Sequence, residues 1–193
     1  MTPWSERRYV VVDVEGNGQQ PPDLVELAVV HILAGVIGEP TAWLFRPDEP
    51  INMMARRIHG ITNEMVADAP VFASLVADVR AHLDGSVLVA HNAGVDLGVL
   101  RRKLPDFVPT EVLDTLKLSR RLLPGQPSYR LGSLVTALRL DHDPPVGLRP
   151  HRASYDVLVT ARLLVHLASR TAGGPLSFEA LLGGPGGQHA ALF

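Results

Sequence analysis

The chain has 193 residues, of which 46% are hydrophobic, and its formal net charge at pH 7 is -2. These values predict one globular domain and argue against a protein that coats long nucleic acids by electrostatic attraction alone. The absence of cysteine excludes disulfides and thiolate-bound zinc. No stretch approaches the roughly 20 apolar residues that span a bilayer, and no apolar signal region follows the first residues, so the default expectation is a cytoplasmic protein without membrane contact.

The first part of the chain predicts three antiparallel strands, at residues 8–13, 24–33 and 41–45. The first is β-branched and aromatic, as is typical of a buried strand. Pro21-Pro22 and Gly35 stand between the strands, where turns are expected. Because the connections are short, we expect an antiparallel meander.

Alternating helices and strands are predicted for the rest of the domain. A helix after Pro70 precedes a wholly apolar strand at residues 87–90, and a fifth strand is expected at 112–115. The last strong helix is predicted at 151–170. This order predicts an α/β fold with a five-stranded mixed sheet flanked by helices, in one domain from residue 1 to 170. Residues 171–193 contain Gly and Pro clusters and predict a flexible tail.

Two carboxylates, Asp13 and Glu15, follow the first apolar run and are followed by Gly16 and Gly18. Because side chains alternate along a strand, both carboxylates point to the same side. Neighbouring carboxylates repel each other unless a cation lies between them. Two solvated acids at a strand end are the alternative interpretation, since Asp-x-Glu alone is a weak signal.

Three further residues extend this pattern. Asp96 follows the apolar strand 87–90, and Asp156 lies early in the last helix, five residues after His151. An offset of five turns a regular helix by roughly 140°, so His151 must lie in a loop or irregular turn after Pro150 to face the same site. Four converging carboxylates are balanced by two divalent cations, Mg²⁺ or Mn²⁺, and a neutral imidazole can take a proton from the attacking water.

In order and spacing, these motifs resemble the DnaQ-like 3′–5′ exonucleases of the RNase H-like fold, in the DEDDh subgroup, which includes the proofreading exonucleases of the DNA polymerase III epsilon type. The resemblance spans residues 8 to about 170. Arginine at position 152 excludes the tyrosine pattern of the sister subgroup. The matching segments are Asp13-Val14-Glu15, His91-Asn92-Ala93-Gly94-Val95-Asp96, His151 with Asp156, Arg57-Ile58-His59-Gly60-Ile61-Thr62 and Leu113-Asp114-Thr115-Leu116.

The resemblance implies a role for each matching acid. Asp13 would bridge two metal ions, Glu15 and Asp156 would hold the ion that activates water, and Asp96 would support the second ion. His151 would be the general base. All five residues are therefore expected to be catalytic, and the four acids are the expected metal ligands.

Substrate contacts are also implied by the resemblance. The backbone around Gly16 and Asn17 would contact the terminal 3′-hydroxyl, and His59 would contact the last nucleotides. Two departures concern this region: Gly16-Asn17-Gly18 replaces the Thr-Thr-Gly that is frequent in the family, and Val95 replaces a frequent Phe. Contacts from threonines to the terminal sugar are therefore not expected.

The expected function is metal-dependent hydrolysis of phosphodiester bonds at nucleic-acid 3′ ends, with release of nucleoside 5′-monophosphates, on single-stranded or frayed DNA in proofreading or repair. Two alternatives are a 3′–5′ exoribonuclease that trims RNA and a non-catalytic adaptor that binds nucleic-acid ends or a polymerase. The sequence does not distinguish the sugar, because discrimination depends on contacts to the 2′ position.

Several residues outside the motifs have two interpretations. Residues 188–193, with Gln188, Leu192 and Phe193, are similar to peptides that dock polymerase-associated proteins on a sliding clamp, and the alternative is an inert tail. Glu26 is either a buried polar group near the site or an ordinary strand residue. His91 either orients the second motif or is a loop residue.

Overall fold

The computed structural model of the protein describes residues 2–143, 147–169 and 174–183. Within these residues, one sheet has the strand order β3-β2-β1-β5-β6, and β4 also pairs with β2. The strands are β1 (Tyr9–Gly16), β2 (Leu24–Leu33), β3 (Val36–Ile37), β4 (Thr41–Leu44), β5 (Val87–Ala90) and β6 (Val112–Asp114).

Helices cover both faces of this sheet. They are α1 (Met53–His59), α2 (Asn63–Val66), α3 (Val76–Leu83), α4 (Gly94–Lys103), α5 (Thr115–Leu122), α6 (Leu131–Leu138), α7 (Ala153–Ser169) and α8 (Phe178–Leu182). Side chains of β1 alternate between two hydrophobic clusters: Tyr9 and Val11 pack with α5, α6 and α7, whereas Val10 and Val12 pack with α3 and α4. None of the helices in the described part of the chain is long and apolar enough to cross a bilayer.

The sheet is mixed, as predicted. Strand β2 pairs antiparallel with β1, β3 and β4, whereas β1, β5 and β6 are parallel to one another. The β1–β2 register places Glu15 opposite Glu26, and it shifts between Glu15 and Gly16. This irregularity lies where the first strand leaves the sheet, next to the carboxylates.

The third predicted strand, at residues 41–45, is present as β4, and a further short strand, β3, precedes it. Both β3 and β4 pair with β2 on the edge away from β1. Residues 38–40 separate β3 from β4. Because Pro40 has no N–H to donate to β2, strand pairing resumes only at Thr41. The sheet thus has six strands in five positions, and Val36–Ile37 was not recognised because two residues are too few to show an alternating pattern.

The structure differs from the predicted flexible tail over residues 174–183. Ser177 caps helix α8, its Oγ accepting a bond of 3.1 Å from the backbone N–H of Ala180, and Phe178 and Leu181 are buried in the core. Ser177 also forms a β-bridge with Pro3. The folded domain therefore extends beyond residue 170 to α8. Residues 171–173 and 184–193, including the segment 188–193, lie outside the described residues.

Candidate active site

Strand β1 carries two of the predicted site acids on one face. Asp13 and Glu15 follow Tyr9 and Val11 at intervals of two, so they point to the face that α7 covers. The α7 helix makes extensive contacts with both β1 and β2. The apolar residues of this face thus pack the strand against α7, and the same alternation directs both carboxylates to the first turn of that helix.

Helix α7 supplies the third acid. Asp156 lies in its first turn, and single carboxylate oxygens of Asp13, Glu15 and Asp156 lie within 4.8 Å of one another. The structure therefore brings together three acids that are up to 143 positions apart in the chain (156 − 13). Three oxygen atoms at this spacing fit a divalent cation that prefers oxygen ligands.

Asp96 adjoins this cluster from helix α4. It lies in the first turn of α4, is 5% exposed, and its Oδ1 accepts a hydrogen bond of 3.2 Å from the backbone N–H of Val14. Because Val14 lies between Asp13 and Glu15, this bond fixes Asp96 beside the first motif. Asp96 is not one of the three acids whose oxygen atoms converge within 4.8 Å.

Burial and mutual repulsion raise the pKa values of these carboxyl groups. For Asp13, burial is the largest cause of its well-raised pKa, and the charges of Asp96 and Asp156 follow. Burial and then the charge of Asp156 raise the pKa of Glu15 to about 8. In the absence of metal, the cluster thus favours protonation, which is the expected behaviour of a site that a cation would neutralise.

The other two acids show the same direction. Burial raises the pKa of Asp96 to about 7, although hydrogen bonds from backbone N–H groups, including that of Val14, oppose the shift. Burial raises the pKa of Asp156 to about 6, and the charge and backbone N–H of His151 oppose it. All four acids therefore hold protons more tightly than ordinary carboxyl groups do.

His151 lies in a turn immediately before α7, as the offset from Asp156 predicted. Its φ of 61° is left-handed, and the residue is exposed. Burial raises the pKa of the Asp156 carboxyl group, and the charge and backbone N–H of His151 oppose this shift, so the turn lies beside that acid. The imidazole is thus carried by the irregular turn next to the cluster, where solvent reaches it.

Gly16, Asn17 and His59 form one buried support for the turn after β1. Nδ1 of His59 accepts a bond of 3.0 Å from the N–H of Ile61, so Nε2 carries the proton and donates to the carbonyl of Gly16 at 3.2 Å. His59 is 3% exposed. Both ring nitrogens are therefore bonded inside the protein, and the implied contact between His59 and nucleotides stays a prediction.

Asn17 is fully buried, and it braces the same turn. Its Oδ1 accepts bonds from the N–H groups of Gln19 and Asp23, at 3.1 and 2.9 Å. Its own backbone N–H and C=O bond to Asp23 and Asn52. Since these groups are occupied, we expect the backbone contact with a 3′-hydroxyl at the carbonyl of Gly16, which accepts one bond from His59 and can accept a second.

Glu26 and Arg152 are functional candidates that the sequence reasoning did not assign. The Arg152 guanidinium donates to both carboxylate oxygens of Glu26, with the shortest bond, from Nη2 to Oε1, at 2.6 Å. Glu26 is therefore a buried polar group near the site, the first of its two interpretations. Its signal in the sequence was an acid in an apolar strand, but the partner lies 126 positions away.

His91 orients the second motif. Its Nδ1 lies 2.9 Å from Oγ1 of Thr115, and its Nε2 lies 2.9 Å from the carbonyl oxygen of Tyr129. Asp114 accepts a bond of 3.1 Å from the N–H of Asn92. The segments 91–96 and 113–116 are two separate motifs of the family resemblance. In the structure they are hydrogen-bonded to each other next to the helix that carries Asp96.

Comparisons with known proteins agree with this geometry. The family model described as Exonuclease (RNase_T) matches residues 10–164. Exodeoxyribonuclease 10 of Escherichia coli (strain K12) is 42% identical over 158 residues, which cover 81% of this chain and 67% of that protein. The 3′-5′ exonuclease DinG of Bacillus subtilis (strain 168) is 34% identical over 176 residues, covering 86% of this chain and 18% of that protein.

Solved structures show the same fold. Exonuclease X in complex with 5′ overhanging duplex DNA matches with a TM-score of 0.69 and 41% identity, covering 82% of this chain and 90% of that chain. E. coli Exonuclease I in complex with a dA16 oligonucleotide has a TM-score of 0.67 at 21% identity, covering 82% of this chain and 40% of that chain, and this likeness concerns the fold alone. Because the family model matches residues 10–164, the chain belongs to the exonuclease family with an RNase H-like α/β fold.

Proposed function

We propose that the protein is a divalent-metal-dependent 3′–5′ exonuclease that acts on DNA ends and releases nucleoside 5′-monophosphates. The observation that carries this proposal is the convergence of Asp13, Glu15 and Asp156 within 4.8 Å, in a chain 42% identical to an exodeoxyribonuclease. The likeness to Exonuclease X, whose structure contains 5′ overhanging duplex DNA, favours a recessed DNA 3′ end as a substrate.

The residues present fit two Mg²⁺ or Mn²⁺ ions. Asp13, Glu15 and Asp156 offer converging oxygen atoms, and Asp96 lies beside Asp13. Burial and mutual repulsion raise the pKa values of Asp13 and Glu15, so a bound cation would stabilise their charged forms. Bound divalent ions would supply Lewis-acid stabilisation of the phosphodiester and a nucleophilic water at neutral pH.

The side chains around the acids have separate tasks in this proposal. His151 takes the proton from the attacking water, because its exposed imidazole lies in the turn beside Asp156. The backbone of Gly16 contacts the terminal 3′-hydroxyl. Asn17 and His59 hold that backbone in place through the bonds described above.

Digestion of oligonucleotides labelled at the 5′ end tests the polarity and the sugar preference, and chromatography of the released nucleotides identifies the product. With Mg²⁺, DNA substrates should give a ladder that shortens from the 3′ end, together with nucleoside 5′-monophosphates. Faster digestion of matched RNA would favour RNA trimming instead. Tight binding of DNA ends without any cleavage would favour the adaptor alternative.

We also propose a role in DNA replication or repair through residues 188–193, which lie outside the described residues. Support comes only from the pattern of Gln188, Leu192 and Phe193, whose amide and two apolar side chains suit a pocket on a sliding clamp. A synthetic peptide of 183–193 should bind a bacterial sliding clamp in fluorescence anisotropy, and Phe193→Ala should abolish this binding. Equal binding by both peptides would end the idea. A cytoplasmic location also stays a prediction.

A further inference from the structure

A buried ion pair joins the sheet to the start of α7. The guanidinium of Arg152 donates from Nε to Oε2 of Glu26 at 3.0 Å and from Nη2 to Oε1 at 2.6 Å. The side chain of Glu26 is 2% exposed and that of Arg152 is 22% exposed. Two parallel bonds between a planar guanidinium and a carboxylate fix orientation as well as distance.

The carboxylate of Glu26 also bonds to the backbone of helix α7. Oε2 of Glu26 accepts a bond of 3.0 Å from the backbone N–H of Ala153, the first residue of α7. The first N–H groups of a helix have no partner within the helix and favour a negative charge nearby. Glu26 therefore binds both the side chain before α7 and the backbone at its beginning.

The ion pair of Glu26 and Arg152 lies next to the carboxylate cluster. Glu26 lies opposite Glu15 in the β1–β2 register, so the ion pair begins at the strand position next to a proposed metal ligand. Asp156 follows Ala153 by three residues, about one helical turn, and His151 directly precedes Arg152. Fixing the first turn of α7 against β2 thus fixes both residues relative to Glu15.

Stability alone does not account for an ion pair in this place. A buried ion pair often contributes little compared with apolar residues of similar volume. Glu26 also adds a further negative charge next to Asp13, Glu15 and Asp156, whose pKa values it helps to raise. Glu26 is present despite this repulsion because it orients the first turn of α7.

We infer that Glu26 and Arg152 are positioning residues, which hold the first turn of α7 so that Asp156 and His151 face Asp13 and Glu15 in a productive arrangement. This inference rests on the proposed exonuclease function. Neither residue is a proposed metal ligand, and their effect passes through the placement of Asp156 and His151.

The test compares Arg152→Met, Glu26→Gln and the double variant with Arg162→Met. Arg162 is a matched control, because it also belongs to the α7 region and donates to two oxygen atoms, the carbonyls of Leu140 and His142, but lies ten residues from Arg152. The double variant contains no unpaired buried charge, so it should fold even if Arg152→Met does not. Circular dichroism and thermal unfolding check folding in each case.

We expect Arg152→Met and the double variant to lower kcat by about 10- to 100-fold and to weaken Mn²⁺ binding, measured by calorimetry, over a similar range. KM for DNA should change little, and the effects of the two single changes should be strongly non-additive. Arg162→Met should lower only the melting temperature.

Two results would overturn the inference. One is a kcat and an Mn²⁺ affinity in the double variant equal to those of Arg162→Met. The other is additive effects of the single changes with a raised KM, which would make Arg152 a substrate contact. If the wild-type protein does not cleave DNA at all, the proposed function fails instead, and Mn²⁺ binding by the variants still decides the positioning role.

Discussion

The carboxyl groups of the site have raised pKa values because they are buried beside one another. Asp13 is affected by the charges of Asp96, Asp156 and Glu15 in addition to its burial. Like charges held together cost stability unless a cation or a proton neutralises them. We therefore expect the four carboxylates of the site to lower the stability of the metal-free protein.

Replacing Asp13 with Asn should stabilise the metal-free protein. The change removes a carboxylate whose pKa is raised by burial and by the charges of the neighbouring acids, and the melting temperature in EDTA should rise by about 2–4 °C for each kcal/mol of repulsion removed. Differential scanning calorimetry measures this shift. The control is Asp106→Asn, in which the same chemical change occurs on a side chain that is 86% exposed and should have little effect. A lower melting temperature for Asp13→Asn than for this control would contradict the account.

The stability of the metal-free protein should fall as pH rises. In the unfolded chain these acids titrate near pH 4, whereas the folded pKa values are about 6 for Asp156, about 7 for Asp96 and about 8 for Glu15. Between about pH 4 and pH 8 the folded state therefore binds more protons, so the free energy of unfolding decreases with pH. Urea unfolding in EDTA at several pH values measures this trend, and added Mg²⁺ should reduce it. Stability that increases over this range in EDTA would be inconsistent with repulsion in the cluster.

Among the elements, helix α1 supports the turn after β1. Asn52 caps α1 by accepting a bond of 2.9 Å from the N–H of Ala55, while its Nδ2 donates to the carbonyl of Gly18 at 2.6 Å. His59, the last residue of α1, donates to Gly16. Both ends of one short helix thus hold the backbone that we propose to contact the terminal sugar.

Asn52→Ala should therefore affect both stability and substrate binding. Loss of the cap should cost about 1 kcal/mol in urea unfolding, and release of the Gly16–Gly18 turn should raise KM for DNA. Thr62→Ala is the matched control, because Thr62 caps α2 through the N–H of Met65 but does not bond to this turn. Equal KM values for the two variants would show that α1 does not hold the substrate contact.

Most of the regular elements could be predicted from periodicity, and the failures have physical reasons. Alternation and apolar runs indicated β1, β2, β5 and the mixed sheet. Strand β3 and helices α1 and α8 were missed, since two, seven and five residues are too short for a periodic signal, and the flanking Gly and Pro residues indicated only irregular structure. The structure of these segments depends on tertiary contacts, such as those of Phe178 with the core.

For the site, residue types predicted the acids better than they predicted the supporting contacts. Strand alternation, a local property, predicted that Asp13 and Glu15 share a side, whereas the family resemblance predicted that Asp156 joins them. The bonds of His59 to Gly16 and of Arg152 to Glu26 depend on long-range packing, for which the chain contains no local pattern. The supporting bonds of His59 could therefore not be predicted from its place in a family motif.

At the scale of the whole molecule, the site and the terminal segments of the domain occupy opposite ends of β1. Tyr9 begins the strand and lies against Trp4 and Phe178, with ring centroids at 6.1 and 6.4 Å. Arg121 of α5 donates to the carbonyls of Ala180 and Leu181. Helix α8 thus closes the end of the sheet that does not carry the carboxylates.

Phe178→Ala should lower stability without affecting catalysis. Removing this 5% exposed side chain should cost about 3–5 kcal/mol in urea unfolding, because it leaves a cavity beside Tyr9. Four residues of strand, roughly 13 Å, separate Tyr9 from Asp13, so kcat measured below the melting transition should be unchanged. A loss of kcat in the folded variant would mean that α8 influences the site.

The central claim is that acids from distant parts of the chain converge to bind divalent ions that cleave the terminal phosphodiester. The most direct test is the rate of nucleotide release from the 3′ end of DNA as a function of Mg²⁺ concentration, for the wild-type protein, Asp13→Asn and Asp106→Asn. The account predicts Mg²⁺-dependent release by the wild-type protein and Asp106→Asn, and at least about a thousandfold slower release by Asp13→Asn at every Mg²⁺ concentration. Release by Asp13→Asn at the wild-type rate, or release by the wild-type protein in EDTA, would contradict it.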